Sequence, residues 1–153
     1  ILLPTYVDPF RVEPAPERRV ISLRGGTETI LVVEDEEPLR QLLQRLLHSA
    51  GYRVFCAESG VAALSLCEER GREIDLVLTD VIMPGGVSGY DLAARLSEQR
   101  PGQRILFMSG YTGDSMAHDD RRRAGHNFLQ KPFTATSLLS CVRSELDRAV
   151  SRV

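Results

Sequence analysis

The sequence predicts an α/β fold, a doubly wound sheet of five parallel strands with about five helices on its two faces. Three observations predict it. Short apolar runs of strand length stop abruptly at polar residues, near 29–33, 52–57, 76–78, 105–109 and 127–130. Stretches with apolar residues at helical spacing separate them. The regular alternation of the two implies right-handed crossovers, which place helices on both faces of a parallel sheet.

Composition narrows the class. A chain of 153 residues, 42% hydrophobic and 26% charged, supports one domain with its own core. A net charge of -2 provides no field to gather nucleic acid or an anionic membrane, and no apolar run nears the roughly 18 residues of a membrane span. The expectation is a cytoplasmic module without nucleic-acid or membrane contact. Cys56, Cys67 and Cys141 are widely spaced in apolar surroundings and read as buried small hydrophobes rather than disulfide or metal partners. His48, His118 and His126 are isolated, and Arg121, Arg122 and Arg123, offset by Asp119 and Asp120, read as a solvated face. All basic residues but one are Arg; Lys131 is the exception. A single Lys in such a chain marks a place that needs a compact ammonium.

Residues 1–27 carry Pro4, Pro9, Pro14 and Pro16 and then Gly25-Gly26, without periodicity, and read as a Pro-rich linker; residues 28–153 form the domain. TILVV (29–33) is the first strand and runs into Glu34, Asp35, Glu36 and Glu37. Pro38 suits a first helical turn, and Leu39, Leu42, Leu43, Leu46 and Leu47 follow at helical spacing until Gly51. YRVFCA (52–57) is the second strand, and Ser59 caps a helix bearing Ala62, Ala63, Leu66 and Cys67 that fades by Gly71. Leu76, Val77 and Leu78 form a third strand buried on both faces, with Asp80 at its end. After MPGGVSG, residues 89–98 form a helix with Leu92, Ala93 and Leu96 on one side, stopped by Arg100-Pro101-Gly102. ILFMS (105–109) is the fourth strand; 110–125 is read as a loop with a weak helix. NFLQ (127–130) is the fifth strand, Lys131-Pro132 breaks it, and Thr134 caps a last helix buried through Leu138, Leu139, Val142 and Leu146.

In doubly wound sheets ligands bind beyond the carboxyl ends of the strands. The residues there are Glu34 and Asp35, Asp80, Ser109 and Lys131. Three carboxylates about 5 Å apart repel by on the order of 3 kcal/mol per pair at an effective dielectric near 20, which calls for a cation. An oxygen-only site suits Mg²⁺ better than zinc. With such a cation, Lys131 and the Ser109 hydroxyl at hand, phosphoryl oxygens become acceptable neighbours for an attacking carboxylate.

VVEDE (33–37), LVLTDVIMPGGVSG (76–89), FMSGYT (107–112) and FLQKPF (128–133) together resemble the receiver domains of two-component response regulators, over about Glu28 to Arg148. The order and spacing of Asp35, Asp80, Ser109 and Lys131 fit that family's layout. The resemblance implies a flavodoxin-like strand order of 2-1-3-4-5 and Asp80 as the phosphoacceptor. It implies Mg²⁺ held by Asp35 directly, by Glu34 largely through water, by Asp80 and by the Ile82 backbone carbonyl. It implies Ser109 and Phe128 as a switch pair, which alters the surface of the fourth helix, fifth strand and last helix. The implied partner is a histidine kinase or phosphotransfer domain, in cis or in trans. ILLP (1–4) resembles the end of a kinase ATP-binding domain, and the chain starts without Met, so the expectation is the C-terminal receiver of a hybrid histidine kinase. The fragment is then no enzyme beyond its own phosphorylation and dephosphorylation. The turn MPGGVSG is one Gly longer than the commonest family form, and 113–124 falls where the family varies.

Rival readings are separable. A phosphate-independent receiver-like binding module would never be modified at Asp80. A haloacid-dehalogenase-type phosphatase wants an acid two residues after its nucleophile, where this chain has Ile82. A flavodoxin-like electron carrier needs a phosphate-cradling loop after the first strand, and EDEE would repel the phosphate.

Overall fold

The computed structural model describes residues 25–110 and 127–148. The expected linker before residue 25 and most of the loop and weak helix expected over 110–125 lie outside them, as do His118, His126 and Arg121 to Arg123. The elements are β1 (Thr29–Val33), α1 (Glu37–Ser49), β2 (Arg53–Ala57), α2 (Gly60–Arg70), a 3-10 turn (Gly71–Glu73), β3 (Leu76–Asp80), α3 (Gly89–Gln99), β4 (Arg104–Ser109), β5 (Asn127–Gln130) and α4 (Ala135–Asp147). The five strands are parallel, in the order β2-β1-β3-β4-β5.

The unbroken apolar runs are explained by two cores, one on each face. Ile30, Val32, Leu76, Leu78, Leu106 and Met108 point to one side and pack with Leu43 and Leu47 of α1 and Leu138 and Val142 of α4. Leu31, Val33, Val77, Ile105 and Phe107 point to the other and meet Ala63 and Cys67 of α2 and Leu92 and Leu96 of α3. Alternate residues of one strand thus feed different cores, which is why the strands read as nearly continuous apolar runs; the buried Thr79 of β3 satisfies its hydroxyl on the Asp80 carbonyl at 3.0 Å.

Local chemistry sets the helix starts. Pro38 sits in the first turn of α1. The Ser59 hydroxyl accepts from Ala62 N at 3.1 Å, and Ser88 and Thr134 form capping boxes with Asp91 and Ser137. Gly51, at φ 98°, makes the left-handed turn out of α1 that a side chain would oppose. A Cβ at Gly89 would run into the Asp80 carbonyl oxygen, so only glycine lets α3 begin this close to the end of β3.

Three details depart from expectation. Leu42 is 48% exposed, because the sheet covers an arc of α1 centred on Leu43 and Leu47. Cys67 is buried, but Cys56 and Cys141 are only half-buried at the margins of the cores. The 3-10 turn after α2 was not foreseen; there the Ile74 amide bonds the Gly71 carbonyl at 3.2 Å.

Opposite the carboxyl ends, Arg143 ties α4 to the segments that lead into β1 and β2. Its guanidinium donates to Glu28 at 2.8 and 3.2 Å, to the Tyr52 hydroxyl at 3.4 Å and to the Gly25 carbonyl at 3.4 Å. It also meets Asp147 at 2.8 Å. The Arg143 hydrogen bond holds the Glu28 carboxyl below its ordinary value of 4.5. A depressed folded-state value means the stabilisation is present above 4.5 and is lost as pH falls through the lower folded value. Acid titration of the thermal midpoint is therefore expected to fall less steeply below that value for Glu28→Gln than for the unaltered protein.

Candidate functional site

The parallel sheet gathers the carboxyl ends of β1, β3, β4 and β5 along one edge, and register aligns them. Asp80, the last residue of β3, pairs with Met108, so Ser109 lies one residue further along the neighbouring strand. The Lys131 amide donates to the Ser109 carbonyl at 2.8 Å, which fixes where the chain leaves β5.

The side chains converge. Lys131 Nζ lies 2.9 Å from Asp80 Oδ2 and 3.0 Å from Glu34 Oε2. Ligand atoms of Glu34, Asp35 and Asp80 lie within 4.8 Å of one another. Glu34 is 0% exposed, and both its oxygens are engaged, since Oε1 accepts the Glu36 amide at 3.1 Å. Asp35 and Asp80 remain partly open to solvent. Burial pushes the Glu34 carboxyl up against the pull of Lys131. Burial also opposes the Lys131 charge, but hydrogen bonds to Asp80 and Glu34 outweigh it and hold the ammonium above its ordinary value.

Three carboxylates against one ammonium leave a surplus of negative charge. The donors are all oxygens, two of the three carboxylates are accessible, and no His or Cys belongs to the cluster, so the set fits a hard divalent cation such as Mg²⁺.

The other predicted residues sit at the margin. The Ile82 amide donates to Asp80 Oδ1 at 3.4 Å, while its side chain is 62% exposed. The loop carrying Ile82 is anchored by buried Met83 and Val87, with Gly85 and Gly86 both at positive φ between them. Phe128 is half-buried on β5 and stacks on Phe107, with ring centroids 5.2 Å apart; Tyr90 of α3 lies against the same Phe107 at 5.0 Å. Arg40 was not singled out from the sequence. It donates to the Glu34 carbonyl at 2.8 Å and the Asp35 carbonyl at 3.3 Å. The available signal was a cation in the first turns of a helix, where the dipole disfavours it.

The arrangement is an aspartate at the end of a central parallel strand, flanked by two acids and a lysine. The chain matches the family model described as response regulator receiver domain over residues 30–143, and it belongs to that family of two-component signalling domains. It is 37% identical to the sensor kinase CckA of Brucella abortus over 154 residues, 97% of this chain and 16% of that protein. It is 38% identical to the virulence sensor protein BvgS of Bordetella pertussis over 90% of this chain and 11% of that one. The chain thus spans a small part of these relatives. Against the response regulator receiver protein CpdR of Brucella abortus it is 31% identical, over 76% of this chain and 95% of CpdR. Among solved structures, the receiver domain from the hybrid histidine kinase CckA superposes with a TM-score of 0.64 at 33% identity, covering 78% of this chain and 99% of that one. No helix among the described residues is long and apolar enough to cross a membrane.

Removing Lys131 strands a buried carboxylate. Lys131→Met is expected to cost on the order of 3 kcal/mol in denaturant unfolding, and adding Glu34→Gln to it to recover much of that loss.

Proposed function

We propose that this domain takes a phosphoryl group from a partner's phosphohistidine onto Asp80 in a Mg²⁺-dependent reaction, and changes its surface in response. The observation that carries the reading is the Asp80 carboxylate, partly open at the strand end and held by Lys131 beside two further acids. An Asp80 oxygen attacks phosphorus, the P–N bond breaks, and the imidazole leaves with the electron pair and takes up a proton. Lys131, bonded to Asp80, would follow the charge from the carboxylate to a phosphoryl oxygen, and Ser109 on the next strand would donate its hydroxyl to another. Asp35, Asp80 and the Ile82 carbonyl would hold the metal, with Glu34, its oxygens already engaged, acting through water. Bound there, Mg²⁺ would neutralise charge between the attacking carboxylate and the phosphoryl oxygens. Later hydrolysis returns the aspartate.

Ser109 and Phe128 are the proposed switch. Movement of the Ser109 hydroxyl toward a phosphate would vacate space for the Phe128 ring, now stacked on Phe107. The kinship with CckA and BvgS supports a place in a hybrid histidine kinase, with residues 1–27 as a linker and 28–153 as the receiver. The partner is then a histidine kinase or phosphotransfer domain in the cytoplasm.

Incubation with acetyl phosphate, read by intact mass, tests the reading. A gain of about 80 Da is expected in the unaltered protein with Mg²⁺, and none without Mg²⁺ or in Asp80→Asn. No gain from acetyl phosphate or from a phosphohistidine donor would favour the phosphate-independent binding module.

A further inference from the structure

The carbonyls of Glu34 and Asp35 fall between two ladders. The sheet ladder on this side closes with the Glu34 amide bonding Ala57 O at 3.1 Å, and the helical ladder opens only with Arg40 N on Glu36 O at 2.9 Å. Both carbonyls in between are reached by one guanidinium nitrogen, Arg40 NH1, at 2.8 and 3.3 Å.

This placement runs against simple electrostatics. Arg40 stands in the opening turns of α1, where the helix dipole disfavours a cation. A fixed positive charge next to an acidic cluster also competes with any divalent cation for that cluster. A residue whose charge acts against both the helix and the metal needs a different reason to be there, and the two carbonyl bonds supply one. They fix the backbone on either side of the Asp35 Cα, and so the direction in which that carboxylate leaves the turn.

We propose that Arg40 is a positioning residue for the divalent-cation site, holding the Glu34–Asp35 backbone so that the Asp35 carboxylate meets the metal at the right angle. The proposal rests on the metal-dependent reading above and extends it to a residue outside the cluster. Positioning and charge make opposite demands on its removal. If Arg40 acted only as a nearby cation, a neutral side chain would tighten Mg²⁺ binding. If it positions the turn, the neutral side chain weakens it.

Calorimetric titration of Mg²⁺ into the unaltered chain, Arg40→Met and Arg40→Lys decides, with circular dichroism to check folding. Arg40→Met is expected to bind Mg²⁺ about tenfold more weakly, as loss of an outer-shell support commonly does. Arg40→Lys, which keeps donors within reach, is expected to restore most of the affinity. Binding by folded Arg40→Met as tight as in the unaltered chain, or tighter, would overturn the role. If Arg40→Met does not fold, the folded Arg40→Lys binding no better than Asp35→Asn would overturn it equally. Failure of the unaltered chain to bind Mg²⁺ at all would instead bring down the metal-dependent reading together with this one.

Discussion

The structure depends on how one ammonium is shared between two carboxylates. Glu34 is fully buried, which an unpaired carboxylate tolerates poorly, and Asp80 stands beside it. Lys131 answers both at 2.9 and 3.0 Å, from sequence positions 51 and 97 residues away. Such distant residues meet only if β1, β3 and β5 end at the same edge in the right register, so the charge arrangement constrains the sheet as much as the sheet places the charges. The surplus of negative charge that remains, on oxygen donors alone, is the kind of setting that suits a hard divalent cation.

Around this centre, each neighbouring element has a role that follows from its own chemistry. The backbone amide of Glu36 holds Glu34 from within the turn, and the Lys131 amide on the Ser109 carbonyl ties the lysine to the strand carrying the hydroxyl. Glycine at 89 lets α3 begin against the Asp80 carbonyl. The row of Tyr90, Phe107 and Phe128 links β5 to α3 through the interior, so a moved Phe128 ring would be felt by both.

Much of this was legible in the sequence, and the reason is physical. Strands buried on both faces read as near-continuous apolar runs, so β1 could be bounded to the residue and Asp80 placed at the end of β3, whereas β5, at the edge of the sheet, was bounded by the Lys131-Pro132 break that follows it. Glu34, Asp35, Asp80, Ser109 and Lys131 were legible because each closes a strand or follows within two residues of its end. What was not legible depends on tertiary direction. Helical spacing could not say that Leu42 would face solvent while Leu43 and Leu47 faced the sheet. Nor could it show that Arg40 turns back onto the carbonyls of the preceding turn, since those bonds depend on how α1 leaves β1.

Because Lys131 is the chain's sole lysine, its ammonium can be watched alone by nitrogen-15 NMR after selective lysine labelling. The account predicts one resonance in the ammonium region, protected from exchange by its two carboxylate partners. It should shift on Mg²⁺ addition, shift again with acetyl phosphate, and fail to make the second move in Asp80→Asn. A signal that exchanges like a free lysine and ignores Mg²⁺, phosphodonor and Asp80→Asn alike would contradict the shared ion pair and the function built on it.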